Sequence, residues 1–289
     1  VTGQAVFGVD AGPADARVAV IARPPVFGTR VASFDPAPAL AVDGVDEVLE
    51  ISAGVAVVGR GYVEAKAGRD ALAVSWTGPD GPLLDDAAIF EHLREEAVAG
   101  GRAVREDGDV ETAMAGTEPD LDVEYVLPYL AHAPMEPMNC TAVVEDGHCT
   151  VWAPTQFQNA PAVVGGGARQ VAAAAAGTDD ATVHTTFLGG GFGRRAERDF
   201  VREAAEIAGR IDGPVKVIWS REDDIRHDFY RPASVHRMSA RLGPDGAPAV
   251  WTHRMATQSI MQRLVPGWVP GSLENMAGRR DPTSTEGAS

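Results

Sequence analysis

The stretch LGGGFGRR (residues 188–195) constrains this chain more than any other. It sets four glycines around one phenylalanine and ends in two adjacent arginines. The run ATVHTTF before it reads as a strand, and AERDFVREAAEIAGR after it reads as a helix. Strand, glycines and helix together are a physical solution for anions. Glycines let the main chain come close, and the free N–H groups of a helix start point at negative charge. The residues GFGRRA (191–196) also satisfy G-x-G-x-x-A, the dinucleotide fingerprint in its alanine form. That reading needs further strand–helix–strand units and an acid about 20 residues on, at the end of the next strand. Ser220-Arg221-Glu222 stands there instead, after which the pattern turns antiparallel. A Rossmann-like nucleotide-binding dehydrogenase is therefore a rival reading, as is a tight turn that takes no ligand.

Charge sharpens the picture. The net charge of −16 argues against nucleic acid as a partner. Residues 1–187 hold 10 Lys+Arg against 28 Asp+Glu, whereas residues 188–263 hold 13 against 10. The cationic minority thus begins at the glycine-rich stretch, where an anionic ligand would want it. No apolar run approaches the roughly 18 residues needed to span a bilayer. The opening VTGQAVFGVD shows no basic region followed by an apolar one, so no signal peptide is expected within these residues.

The two cysteines, Cys140 and Cys149, flank a turn at Asp146-Gly147 in NCTAVVEDGHCTVW, which reads as a hairpin. In that register Val144 faces Cys149 and Cys140 faces Ala153. The sulfurs then lie roughly 13 Å apart along one face, too far for a disulfide. Two free, half-buried thiols are expected.

Residues 1–76 read as a small α+β unit of short β-rich runs, with helical segments in DPAPALAV and GYVEAKAGRDAL. Residues 77–120 contain an amphipathic helix in DDAAIFEHLREEAVAG and an acidic polar stretch, and read as a surface connector. A second domain is expected over 121–289. It contains the hairpin, a helix starting near Asn159-Pro161 and stopped by Gly177, the strand 181–187, the glycine loop, a helix over 196–210 and a strand over 214–220. An antiparallel pair, VHRMSARLG and AVWTHRMATQS, follows, and the tail from about 265 is expected to be poorly structured.

Other constellations carry less. His132 and Glu136 in HAPME are four apart, but Pro134 keeps them off one helical face, which disfavours a metal site. Ser220, Asp223 and His227 can be written as a triad, yet no nucleophile elbow accompanies them, and a solvated charged loop is the simpler expectation. His236 and His253 fall on predicted strands as ordinary histidines. Gln156, in APTQFQNAP, sits between a strand and a helix. Its amide can donate to a ligand oxygen or cap the turn.

Taken together, YLAHAPMEPMNCTA (129–142), VWAPTQFQ (151–158), LGGGFGRRAERDFVREAAEIA (188–208), PVKVIWSREDDIRHDFYRPAS (214–234) and the N-terminal runs VTGQAVFGVD and VIARPPVFGTRVASFD resemble one family. It is the large, molybdopterin-binding subunit of the xanthine dehydrogenase/aldehyde oxidase family, most like the branch containing the isoquinoline 1-oxidoreductase β subunit. The likeness runs in consistent order through residues 1–263.

The resemblance implies an α+β fold of mixed sheets with flanking helices: an a/b hammerhead domain over 1–76, then the first molybdenum-cofactor-binding domain from about 121. It implies an oxidoreductase that hydroxylates an electron-poor carbon of an N-heterocycle or aldehyde with water as oxygen source. In the family the glutamine of the TQ motif hydrogen-bonds an oxo ligand of molybdenum, which maps to Gln156. The phenylalanine of GGGFG lies beside the metal with its backbone, which maps to Phe192. Both would touch the metal's own ligands rather than the metal, and Gly190, Gly191 and Gly193 let the pterin approach. The implied cofactor is molybdenum–molybdopterin in its cytosine dinucleotide form. The implied partners are an iron–sulfur subunit carrying [2Fe–2S] clusters and a separate C-terminal half of the large subunit, with a small-molecule substrate. The family's general base is a glutamate in a GVGE-like motif that these residues lack, so no catalytic residue is assigned here and the chain alone is expected to be inactive. The compartment implied is the bacterial cytoplasm or periplasm. A non-catalytic remnant or assembly module is the non-enzyme rival.

Overall fold

The computed structural model describes residues 2–79, 85–101, 103–160 and 165–260. The tail expected to be poorly structured from about 265 lies outside them. The described elements begin with β1 (Arg17–Ala22), β2 (Val31–Asp35), α1 (Ala37–Leu40), β3 (Val45–Ile51), β4 (Gly54–Gly59), α2 (Tyr62–Ala71) and β5 (Ala73–Trp76). They continue with α3 (Asp86–Ala99), α4 (Val110–Met114), β6 (Leu121–Leu127), β7 (Asn139–Glu145), β8 (His148–Ala153), α5 (Ala168–Ala176) and β9 (Ala181–Thr185). The last are α6 (Asp199–Ala208), β10 (Val215–Ile218), α7 (Arg221–Arg226), β11 (Ser234–Leu242) and β12 (Pro248–Thr257).

The chain forms two compact units, Val1–Pro82 with Ala131–Phe229, and Leu83–Leu130 with Tyr230–Ser289. This differs from the division expected at 77–120. In the first unit the early and late strands share one seven-stranded sheet of order β3-β4-β1-β10-β7-β8-β9. β1 pairs antiparallel with β4 and parallel with β10, Arg17 standing opposite Val215. Strand β4, GVAVVG, is buried along its whole length, as its uninterrupted apolar sequence requires of a central strand with both faces covered. One face carries α5 and α6 over Ala19, Ile21, Ala56, Val58, Cys140, Val151 and Val217. A separate two-stranded sheet pairs β2 with β5.

The hairpin of β7 and β8 has the expected register, Val144 opposite Cys149. Its turn residues Asp146 and Gly147 both have positive φ, +49° and +76°, which is the twist that suits a two-residue hairpin. Both cysteines are free and fully buried, more so than the half-burial expected. Helix α5 begins at Ala168, later than the expected start near Asn159-Pro161, and residues 161–164 of that segment lie outside the described ones. Its end is the expected one: Gly177 adopts the left-handed conformation at φ +73°.

In α6 the apolar positions Phe200, Val201, Ala204, Ala205, Ile207 and Ala208 are buried. Glu203 falls on the same stripe and is buried with them, gripped by both nitrogens of Arg23 at 2.6 and 2.8 Å and by Trp219 Nε1 at 2.8 Å. The expected charged loop after β10 is instead α7. Ser220 caps it by accepting from the Asp223 N–H at 3.1 Å, while the Asp223 carboxylate accepts from the Ser220 N–H at 3.1 Å. Asp224 and Asp228 are turned inward, 1% and 4% exposed, so this segment is not solvated.

In the second unit, β6, β11 and β12 form an antiparallel sheet of order β12-β11-β6. The pairing of β11 with β12 is the expected one. Helix α3 packs Leu93 and Ala97 against Val235 and Ala256. The segment read as a surface connector therefore supplies a core helix, because its apolar stripe needs a sheet face to cover it. His236 and His253 are hydrogen-bonded to one another, ring nitrogens 2.9 Å apart.

Candidate functional site

The glycine loop leaves the sheet after β9 and is clasped from two sides. On one side stands Glu136. Its Oε2 accepts from the Gly189 N–H at 2.7 Å and from Arg195 Nη2 at 3.2 Å. Its Oε1 accepts from the Val9 N–H at 3.0 Å and from Asn139 Nδ2 at 2.9 Å. A carboxylate with four donors is a structural hub. On the other side stands Gln156, whose main-chain N–H donates to the Arg195 carbonyl at 3.0 Å and whose Oε1 accepts from the Gly193 N–H at 3.2 Å.

The two arginines that end the loop contradict the expectation drawn from charge. Arg194 and Arg195 are both 0% exposed and face the interior. Arg194 grips Asp199 through both terminal nitrogens at 2.9 and 2.7 Å. Its Nε lies 2.9 Å from Asp228 Oδ1 as an ion pair, and its guanidinium stacks on Trp219 and Phe229. Burial alone would lower its pKa, but Asp199 and Asp228 outweigh it and raise it. Arg195 donates from Nε to the Gly190 carbonyl at 2.8 Å and from Nη2 to the Glu136 carbonyl at 2.6 Å. Burial lowers its pKa despite Glu136. These cations hold the loop's shape from beneath.

The same arginines remove the expected helix start. Arg194–Ala196 form a 3₁₀ turn capped by Gly193, and α6 begins only at Asp199. The loop's own amides, not a helix N-terminus, are what it can offer a ligand. Among the described residues the N–H groups of Gly190, Gly191 and Phe192 have no hydrogen-bond partner, and neither does Gln156 Nε2. Phe192 sits at φ +55°, a left-handed conformation that costs a side-chain-bearing residue roughly 1–2 kcal/mol, and it is 65% exposed. Strain and exposure of an aromatic residue in one loop mark a site shaped for something other than packing. A β-carbon on Gly191 would stand 2.7 Å from Gln156 Oε1, so only glycine leaves the glutamine in place.

Residues 91–259, more than half of the chain, match the molybdopterin cofactor-binding domain family. The chain belongs to that family.

Relatives of this molybdopterin-binding chain are consistent in kind. It is 33% identical over 279 residues to isoquinoline 1-oxidoreductase subunit beta of Brevundimonas diminuta, covering 92% of this chain and 35% of the relative. It is 28% identical to a membrane-bound aldehyde dehydrogenase of Gluconacetobacter polyoxogenes, covering 92% and 36%. The chain thus spans about a third of the length of the curated relatives it matches. Among solved structures, quinoline 2-oxidoreductase from Pseudomonas putida 86 shares the fold with a TM-score of 0.63 at 17% identity, over 89% of this chain and 38% of that one. Aldehyde oxidoreductase from Desulfovibrio gigas does so with a TM-score of 0.60 at 14% identity, over 89% and 33%. No described helix is long and apolar enough to cross a membrane.

The loop suits a molybdopterin group. Its open donors are amide and main-chain N–H groups, the complement of an oxygen-rich, anionic ligand. The structure brings together the residues singled out from the sequence: Gly191 abuts Gln156, Gly193 bonds to it, Phe192 lies between the two glycines, and Gly190 packs against Phe192. His132 and Glu136 diverge to separate partners, Asp228 and the loop base. Ser220 and Asp223 are taken up by the helix cap, and half-buried His227 is held near pKa 4 by burial and then by Arg23. The Rossmann reading is disfavoured by the mixed sheet and by the 3₁₀ turn standing between the glycines and α6. Sequence reasoning missed Glu136 as the hub and Asp228 as the counter-ion of Arg194.

Proposed function

We propose that this chain is part of the large subunit of a molybdenum hydroxylase that oxidises a carbon of an N-heterocycle or an aldehyde, and that it forms one wall of the molybdopterin site. The observation that carries this is that, among the described residues, the N–H groups of Gly190, Gly191 and Phe192 in the glycine loop and the Nε2 of Gln156, which abuts that loop, are all without partners in a molybdopterin-binding chain. When bound, the molybdenum group supplies the oxygen-atom and two-electron chemistry, with water as oxygen source. Gln156 donates from Nε2 to an oxygen of that group, and the bare main chain from Gly190 to Gly193 lets the pterin lie against it, with Phe192 beside the metal. We assign no general base within these 289 residues. We read the glutamate base and the opposite wall as belonging to the later part of the large subunit, in the same polypeptide or as a separate half. We read residues 1–76 as the hammerhead part of such a subunit and residues from about 121 as the first cofactor-binding part, with strands of the two sharing one sheet. The cytosine dinucleotide form of the pterin and an iron–sulfur partner complete the assembly.

The test is metal and pterin analysis of the chain purified with and without a co-expressed C-terminal partner, beside Gln156→Glu. That variant keeps an acceptor for the Gly193 N–H but replaces the donor with a negative charge. Molybdenum in the wild-type assembly and its loss in the variant are expected. An assembled complex without molybdenum sinks the proposal and leaves the assembly-module reading.

A further inference from the structure

We propose that His132 is a second ligand-positioning side chain at the glycine loop, presenting its Nε2 to a polar group of the ligand from a segment separate from that of Gln156. This rests on the reading of the loop as the seat of an oxygen-rich anionic cofactor.

The ring of His132 is fixed at one nitrogen only. Its Nδ1 lies 2.9 Å from Asp228 Oδ2, and its main-chain N–H donates to the same oxygen. Asp228 is itself immobile, 1% exposed at the side chain and paired through Oδ1 with Arg194 Nε. The other ring nitrogen, Nε2, has no partner among the described residues, although the side chain is only 11% exposed. It lies 3.9 Å from where a β-carbon on Gly193 would stand. Gly193 is also the residue whose N–H is taken by Gln156 Oε1. Two polar side chains from separate segments therefore meet at one glycine, each with a nitrogen left over.

An open ring nitrogen beside the loop's glycines is a hydrogen-bonding group for whatever occupies the loop. Arg194 faces two carboxylates, Asp199 and Asp228, so the carboxylate that holds the ring at Nδ1 is itself held in place, and Nε2 is the ring's one polar atom left for a ligand. The backbone around it is set with care: Ala133, the next residue, adopts φ +40°, and Pro134 after it lies against Gly190, 3.2 Å from that glycine's β-carbon position.

The experiment uses two variants of the full chain, each read for thermal midpoint and for pterin and molybdenum per chain. His132→Asn keeps an N–H near the Nδ1 position for Asp228 but withdraws the far nitrogen. His132→Gln reaches the Nε2 position but gives up the bond to Asp228. Positioning predicts that the asparagine variant melts within about 2 °C of wild type yet holds roughly three- to tenfold less pterin, and that the glutamine variant retains more pterin than the asparagine variant. A merely structural role predicts the reverse order, with the asparagine variant fully loaded and the glutamine variant unstable. That outcome, or full loading of both, overturns the inference. A wild-type chain that takes no pterin in the assembled complex overturns the parent reading instead.

Discussion

Gln156 donates its main-chain N–H to the carbonyl of Arg195 at 3.0 Å, and the Arg195 guanidinium, wholly buried, donates back to the loop at the Gly190 carbonyl at 2.8 Å. The glutamine proposed to face the ligand is thereby fixed to the far end of the loop, and Thr155 Oγ1 reinforces the join by donating to the same carbonyl at 3.2 Å. A side chain positioned this way has little freedom left to lose on binding, which is what preorganisation of a site requires.

Gly191→Ala tests that arrangement at its tightest point. The new β-carbon would stand 2.7 Å from Gln156 Oε1 and 2.9 Å from its Cδ, so the glutamine must swing away and release the Gly193 N–H. The displaced atoms are the far end of an exposed side chain, and the thermal midpoint is expected to stay close to wild type. Pterin content is expected to fall roughly tenfold, the equivalent of about 1.4 kcal/mol. Unchanged content in the alanine variant would show that Gln156 does not need its present place.

Arg194→Met tests the support beneath the loop. It leaves Asp199 and Asp228 without the cation that now joins them. Removing one partner of a buried ion cluster costs about 3–5 kcal/mol. Urea unfolding should show a loss of unfolding free energy of that size, and a loss below about 1 kcal/mol would mean the cluster relaxes into water.

The thiols give a prediction that needs no cofactor. Burial raises the Cys149 pKa to about 11 and that of Cys140 well above its ordinary value. Neither forms a thiolate near neutrality in the folded chain, and the thiolate is the reacting species. A chromogenic disulfide reagent at pH 8 should find no reactive thiol in the native protein and two after denaturation. Rapid native labelling of either one would contradict the burial.

His227 makes stability depend on pH with a definite sign. Its pKa in the fold is about 4 against an ordinary 6.5, chiefly through burial. The folded state keeps it neutral where the unfolded chain takes up a proton, so stability falls as pH drops from about 6.5 to about 4 and is unaffected by this group above that window. Partial exposure reduces the effect to roughly 1–2 kcal/mol. His227→Gln should flatten the difference in unfolding free energy between pH 7.5 and pH 4.5. An unaltered slope in the variant would assign the acid sensitivity elsewhere.

The parts of the fold that were legible in the sequence are those governed by short-range periodicity. The strands of residues 1–76, the Asp146-Gly147 turn, the stop at Gly177 and the pairing of β11 with β12 follow from alternation and turn chemistry. What was not legible depends on contacts across long separations. Nothing local says that β1 pairs with β10 or that the helix of residues 86–99 covers a sheet begun at residue 121. The inward turn of Arg194 and Arg195 was hidden for the same reason: their partners Asp228 and Glu136 lie 34 and 59 positions away. The candidate site itself was legible because Gln156 and Gly190–Gly193 each sit at the end of a strand, where β8 and β9 lie side by side in parallel.

That seven-stranded sheet also sets a clock. β1 takes its place between β4 and β10, and Arg17 finds its partner Val215 only about 200 residues later in the chain. At synthesis rates of roughly 5–20 residues per second, β1 spends on the order of 10–40 s with one hydrogen-bonding edge bare. The sheet that bears the glycine loop closes only after residue 215 has left the ribosome. The nascent edge of β1 is the place where a chaperone would have to wait.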